Sequence, residues 1–266
     1  MAAGAAVPRP AVPPPARAPS LARMVLAQTR AELLLSLRRG ESVLVTIAIP
    51  ILLLVFFGSL DVLPTGDDDR VGFLVPGILA LAVMSTAMVS LGIATAFERH
   101  YRVLKRLGGS PLPRVGLLAA KILSVLAIQA LQVLLLVAVA ALVFGWRPSG
   151  QPVVAPFLAA VALLLGTCAF GGLGLWMAGA LRAEATLAAA NGLYVVFLLL
   201  GGLVFPLDRL PAPVAAVATL LPAAALADAL RVALSDAAPH STYTWPVLVA
   251  WAILAPLAAA RSFRWE

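Results

Sequence analysis

Six apolar segments dominate the chain, residues 43–60, 71–96, 115–144, 153–181, 185–205 and 243–260, and among Asp, Glu, Lys and Arg they contain only Lys121. Each is long enough, as a helix, to cross the hydrocarbon layer of a bilayer, the first only just. In that layer a helix satisfies every backbone N–H and C=O within its own segment. The expected fold class is therefore an all-α polytopic membrane protein with six transmembrane helices. Composition agrees: 12% of residues are charged, about half the roughly one quarter of a soluble domain, and the mean hydropathy is +1.02.

The longest charged interruption, Phe97 to Lys121, lies between the second and third segments. At helical periodicity Phe97, Tyr101, Val103, Leu104 and Leu107 share one side, and Arg99, Arg102, Lys105 and Arg106 the other. A short basic amphipathic helix is expected from Phe97 to Leu107, ending at Gly108-Gly109 before Pro111 and Pro113. Such a helix can rest in lipid headgroups or press on a soluble partner.

The remaining connections divide by chemistry. Residues 1–19, rich in Pro and Ala, read as a disordered cytoplasmic tail without a secretory h-region. Residues 20–41 read as an interfacial amphipathic helix, with Leu21, Met24, Val25, Gln28 and Leu35 on one face and Arg23 and Arg30 opposite. Residues 43–262 form the six-helix transmembrane domain. After the first span, Asp61, Asp67, Asp68 and Asp69 lack the glycine and distal glutamate of an EF-hand loop, and read as a solvated acidic loop. Gln129 and Gln132 share one face of the third span, where they either bond to neighbouring helices or line a wet path. The glycines of the fourth span, Gly166, Gly171, Gly172, Gly174 and Gly179, permit close helix approach. Between the fifth and sixth spans, Val214–Leu221 and Ala223–Leu234 are apolar but too short to cross, and prolines interrupt them. Short re-entrant helices on the extracellular side are expected there.

Six spans with both termini cytoplasmic place fifteen of the nineteen Lys and Arg residues inside and four outside, namely Arg70, Arg147, Arg209 and Arg231. That asymmetry sets the orientation, because short loops rich in Lys and Arg stay on the cytoplasmic side. The net charge of +7 then belongs to the cytoplasmic face, and no nucleic-acid partner is implied.

The chemistry of the chain excludes several classes. Its two lysines, Lys105 and Lys121, are not followed by Ser or Thr, so no phosphate-binding P-loop is present. His100 and His240 fall on opposite membrane faces, and neither belongs to a catalytic arrangement. The single Cys168 permits no intramolecular disulfide. No carboxylate lies within a span, which argues against an ion-coupled carrier. If the chain moves a substrate, the energy comes from another protein.

Two stretches resemble the ABC type 2 transporter permeases, in particular the daunorubicin-resistance-like exporters. The first comprises Glu98-Arg99, Leu104-Lys105-Arg106-Leu107, Ser110-Pro111-Leu112 and Lys121. The family usually shows E-R-x-x-G-T-L-x-x-L before its S/T-P, and here Arg102-Val103 replaces the Gly-Thr pair. The second comprises Gly201-Gly202, Phe205-Pro206-Leu207, Leu210-Pro211, Leu221-Pro222 and Leu230-Arg231, and is similar to the family's re-entrant segment. The shared layout runs from Leu21 to Arg261.

This resemblance implies a half-transporter in the cytoplasmic (inner) membrane. It would pair with a second permease copy, as a homodimer or heterodimer, and with an ABC ATPase subunit that binds ATP and Mg; no cofactor would be held by this chain. Phe97, Glu98, Arg99, Tyr101, Leu104, Lys105, Arg106 and Leu107 would form the coupling helix against that ATPase. Spans one, two and five would form a substrate path between permeases, and Ser85, Thr86, Ser90 and Asn191 are its candidate lining groups, although bonding to backbone explains the same residues. The substrate class implied is a hydrophobic or amphiphilic drug, lipid or glycan. The competing reading is a non-transporting scaffold that recruits a cytoplasmic protein through the basic helix. An intramembrane enzyme lacks paired acids, bases or metal ligands.

Overall fold

Long uninterrupted apolar runs become long helices, and the most deeply buried of the candidate spans, Arg70–His100, lies at the centre. The computed structural model describes residues 20–38, 40–60, 70–107, 109, 111–203, 206–235 and 241–262. The tail 1–19, Arg39, the acidic loop 61–69, Gly108, Ser110, residues 204–205, residues 236–240 with His240, and residues 263–266 lie outside the described residues, as do the side chains of residues 40–43, 45, Arg106 and Leu107. Among the described residues there are helices and turns and no strand.

The elements are α1 (Leu21–Arg38), α2 (Gly40–Ser59), α3 (Arg70–Met84), a π-helical segment (Ser85–Ser90), α4 (Leu91–His100), α5 (Val103–Leu107), α6 (Arg114–Phe144), α7 (Val154–Ala180), α8 (Ala183–Leu200), α9 (Ala212–Ala218), α10 (Pro222–Leu234) and α11 (Thr244–Ser262). Five helices are long and apolar enough to cross a membrane: Arg70–His100, α6, α7, α8 and α11. The apolar part of α2 assessed, Thr46–Ser59, is shorter, and α9 and α10 form a pair bent by 81°. The chain is a multi-pass helical membrane protein.

Every residue of α3 from Leu74 to Met84 is buried. A helix apolar on all sides is stable only when surrounded, and α2, α6, α7 and α10 surround this one. The glycines expected to bring span four close to its neighbours do so. A Cβ on Gly174 would stand 2.6 Å from the Met88 carbonyl oxygen, and one on Gly92 would stand 3.0 Å from the Gly174 Cα, so α7 meets the π segment and α4 backbone to backbone. α6 ends at Gly145, whose φ of 66° suits a residue without Cβ; the next amide, of Trp146, caps the Ala140 carbonyl at 3.1 Å.

Three expectations change. The inward face of α1 is Met24, Val25, Gln28, Thr29, Glu32, Leu33 and Ser36, with Leu21 and Leu35 exposed. The helix turns its more polar side to the bundle because Glu32 has a charge to meet there. Second, the helix expected from Phe97 to Leu107 is two pieces: Phe97–His100 is the last turn of the second span, and α5 follows a break at Tyr101-Arg102. Arg102 has φ 60°, the left-handed conformation that stops a right-handed helix. Third, the short helices expected between the fifth and sixth spans are present as a bent pair, but α10 is surrounded by protein rather than lipid, buried along nearly its whole length between α3, α7 and α11. Its many Ala and Leu residues supply the apolar surface that is buried, and its two charges find partners inside. Arg231 donates to the Gly202 carbonyl and stacks 4.1 Å from the centre of the Phe73 ring, while Asp228 accepts a hydrogen bond from Thr244 Oγ1 at 2.5 Å. Both charges are thereby paired with groups inside the bundle.

Candidate functional site

The basic end of the bundle gathers the ends of α1, α4 and α7, all of α5, and the starts of α6 and α8. Between α1, α2, the π segment, α4 and α6 lies a cavity of about 540 Å³. Its polar wall is built on Lys121, which enters from the second turn of α6. Lys121 is 1% exposed, and its Nζ lies 3.0 Å from the Glu32 carboxylate and 2.6 Å from Glu98 Oε2. Gln28 Nε2 donates to Glu32 Oε1 at 2.9 Å. An ammonium removed from water needs such partners, since burying it alone costs several kcal/mol. The triad ties three elements, α1, α4 and α6, through one side chain.

Glu98 and Arg99 act as a pair facing opposite ways. While Glu98 meets Lys121, Arg99 donates from Nη1 to the Gly179 carbonyl and from Nη2 to the Leu181 carbonyl. These are terminal carbonyls of α7, which lack an intrahelical donor and sit at the negative end of its dipole. Adjacent residues therefore fasten the last turn of α4 to α6 on one side and α7 on the other. The break at Tyr101-Arg102 follows directly from this fixed point.

Of the residues singled out for the coupling helix, the structure turns several inward. Leu104 is fully buried, Glu98 and Arg99 are bound within the chain, and the Phe97 ring stacks on Tyr101 with centroids 6.2 Å apart. Tyr101, 69% exposed, and Val103, 43% exposed, stand at the edge of the 540 Å³ cavity, and Lys105 is exposed. Arg106 and Leu107 belong to α5 by backbone, and their side chains lie outside the described residues.

The candidate path residues separate too. Thr86 and Ser90 line the 540 Å³ cavity, while Ser85 and Asn191 are not on its wall. Thr86 is buried, donates to the Ala82 carbonyl at 2.9 Å and lies 3.1 Å from Gln132 Oε1. Gln132 Nε2 donates in turn to the Thr46 carbonyl at 2.9 Å. Gln129 Oε1 accepts from Thr167. Both glutamines thus join helices. Asn191 donates to the Leu187 carbonyl at 2.9 Å and lies on the exposed side of α8. Ser85, Thr86 and Ser90 all fall in the π segment, the irregular kind of turn often found at functional positions.

Sequence reasoning missed the triad. Its signal was available: Lys121 alone interrupts six apolar segments, and a cation at such a position requires a carboxylate. Glu32 and Glu98 were the acids within reach, each hidden in a helix read as amphipathic.

Residues 24–235 match the family described as ABC-2 type transporter. The chain belongs to the ABC-2 type transporter family. The match begins in α1 and continues through α10, so the triad, the α4–α5 break and the inserted α10 all lie inside the ABC-2 region. No curated protein matches the chain. As an ABC-2 membrane domain it is a transporter permease component, and the shared region includes both stretches on which the resemblance rested.

Proposed function

We propose that this ABC-2 chain is the membrane subunit of an ATP-driven exporter of the cytoplasmic membrane, with both termini cytoplasmic. It moves a hydrophobic or amphiphilic drug, lipid or glycan, using ATP and Mg bound by a separate ABC ATPase. A second permease copy completes the translocation unit. The observation that carries this reading is the fastening of α4, in which Glu98 and Arg99 brace its last turn against α6 and α7. A short segment held on so firm a base can transmit a push from outside to the spans. The contact surface for the ATPase is then the outward side of the segment, Tyr101, Val103 and Lys105. The exposed apolar side chains of α2 and α8, including Leu52, Phe56, Val195 and Leu199, supply a face for the second copy. The cavity lined by Thr86 and Ser90 is the place where a substrate meets the permease.

The test is a pull-down of the tagged full chain from native membranes in gentle detergent. The wild-type chain is expected to recover a P-loop ATPase. Val103→Glu with Lys105→Glu should reduce that recovery at least tenfold, a loss of about 1.4 kcal/mol, while the amount of folded permease stays unchanged. Leu104 is unsuitable for this purpose, because a charge at a fully buried position unfolds the segment. Failure to recover an ATPase under several detergents would overturn the reading and favour a scaffold.

A further inference from the structure

Turning its polar side to the bundle leaves α1 with an outer surface that suits neither water nor hydrocarbon. Arg23, Leu26, Arg30, Leu34, Leu37 and Arg38 are all exposed, and the three leucines are between 45% and 64% exposed. At helical periodicity Arg23, Arg30 and Leu34 stand opposite Glu32, with Leu26, Leu37 and Arg38 on their flanks. None of the three arginines has a hydrogen-bond or ion-pair partner among the described residues. The acid of α1, Glu32, is engaged by Lys121 on the other side of the helix.

Exposed leucines are unfavourable in water, and arginines are costly in the hydrocarbon layer. The boundary between headgroups and acyl chains accommodates both, with leucines in the acyl edge and guanidinium groups extended to the phosphates. Two ties hold α1 at that level. Only Arg39 separates it from α2, whose apolar run starts at residue 43, and Glu32 is bound to the second turn of α6.

We propose that the outer face of α1 is a binding surface for anionic phospholipid headgroups, and that lipid held by Arg23, Arg30 and Arg38 presses α1 onto α6 and keeps Glu32 against Lys121. Zwitterionic lipid suffices for the leucines, whereas three cations with no acid beside them call for a negatively charged leaflet. The consequence reaches the 540 Å³ cavity, because Glu32, Leu35 and Ser36 of α1 form part of its wall. Lipid charge thereby sets how firmly that wall is held. The surface rests on the multi-pass membrane character of the chain and not on the partner ATPase or on a substrate in the cavity.

The experiment places the purified full chain, one copy per nanodisc and without ATPase, in phosphatidylcholine alone or with about one third phosphatidylglycerol, and follows amide hydrogen exchange in α1. In the wild type, phosphatidylglycerol should slow that exchange about tenfold or more, since each arginine at an anionic surface strengthens binding about fivefold. Arg23→Gln with Arg30→Gln and Arg38→Gln should abolish the difference, and unchanged exchange in α3 and α7 shows that the variant is folded. Arg147→Gln, at the other end of the bundle, should preserve it. Glu32→Gln leaves Lys121 paired with Glu98 and removes the inner tie, so there the lipid effect should grow. Equal exchange in the two lipids, in both the wild type and Glu32→Gln, overturns the proposal, as does a lipid effect that survives the triple variant. Equal protection by soluble glycerol phosphate in phosphatidylcholine assigns the arginines to a free anion and overturns the lipid surface. Protection that appears only with added ATPase, or when two chains share a disc, assigns the face to a protein and overturns it too.

Discussion

At the scale of single residues, Arg102 is the most unusual position in the chain. It is the one non-glycine residue with positive φ among the described residues. Left-handed backbone costs a residue with a Cβ roughly 1–2 kcal/mol. Arg102→Gly should therefore stabilise the folded chain by about 1 kcal/mol once the lost side-chain packing is offset. The readout is the thermal unfolding midpoint in detergent, followed by the reaction of a thiol-specific dye with Cys168, the single cysteine. A drop in the midpoint would show that the guanidinium contributes more to folding than the turn conformation removes.

At the scale of elements, the sequence announced what depends on hydrophobic run length and hid what depends on one backbone angle or one charge. The third, fourth and sixth spans, read as residues 115–144, 153–181 and 243–260, correspond to Arg114–Phe144, Val154–Ala180 and Thr244–Ser262, because apolar runs bounded by Pro, Gly or charge leave little choice. The close approach of span four was legible from its glycines for the same reason. The break at Tyr101-Arg102 was not legible from periodicity, since the apolar pattern continues across it; the one hint lay in the pattern of the resemblance, which has glycine at the place of Arg102. The inward face of α1 was misread because apolar residues lie all around that helix, and the deciding residue, Glu32, is polar. The π segment had no signal in the sequence. It nevertheless yields a prediction: Gly174→Ala places a methyl carbon against the Met88 carbonyl and should cost about 1–3 kcal/mol by overpacking. Gly192, with open space around its Cα, serves as the control, and Gly192→Ala should leave the Cys168 labelling midpoint within about 0.5 kcal/mol of wild type.

At the scale of the whole molecule, Lys121 links the helix that precedes the bundle, the spans, and the last turn of α4 before the Tyr101-Arg102 break. Removing the ammonium leaves two carboxylates at the cavity with no opposite charge, whereas removing all three charges leaves a neutral, hydrogen-bonding wall. Lys121→Met alone should lose about 3–5 kcal/mol, the usual cost of breaking a buried ion pair from one side. The combination of Lys121→Met, Glu32→Gln and Glu98→Gln should recover most of that loss, because apolar or neutral replacements of a buried ion group are often close to neutral in stability. Function separates the two roles of the triad. If it only holds the fold, the triple variant stimulates its ATPase as the wild type does; if it carries movement from α5 to α1 and α6, the triple variant folds, binds the ATPase and leaves it unstimulated. The second outcome is expected, because without the triad α1 keeps its packing on α6 but loses the charged link to α4 that runs through Lys121. ATPase turnover in reconstituted vesicles, compared at equal amounts of bound ATPase, distinguishes the two.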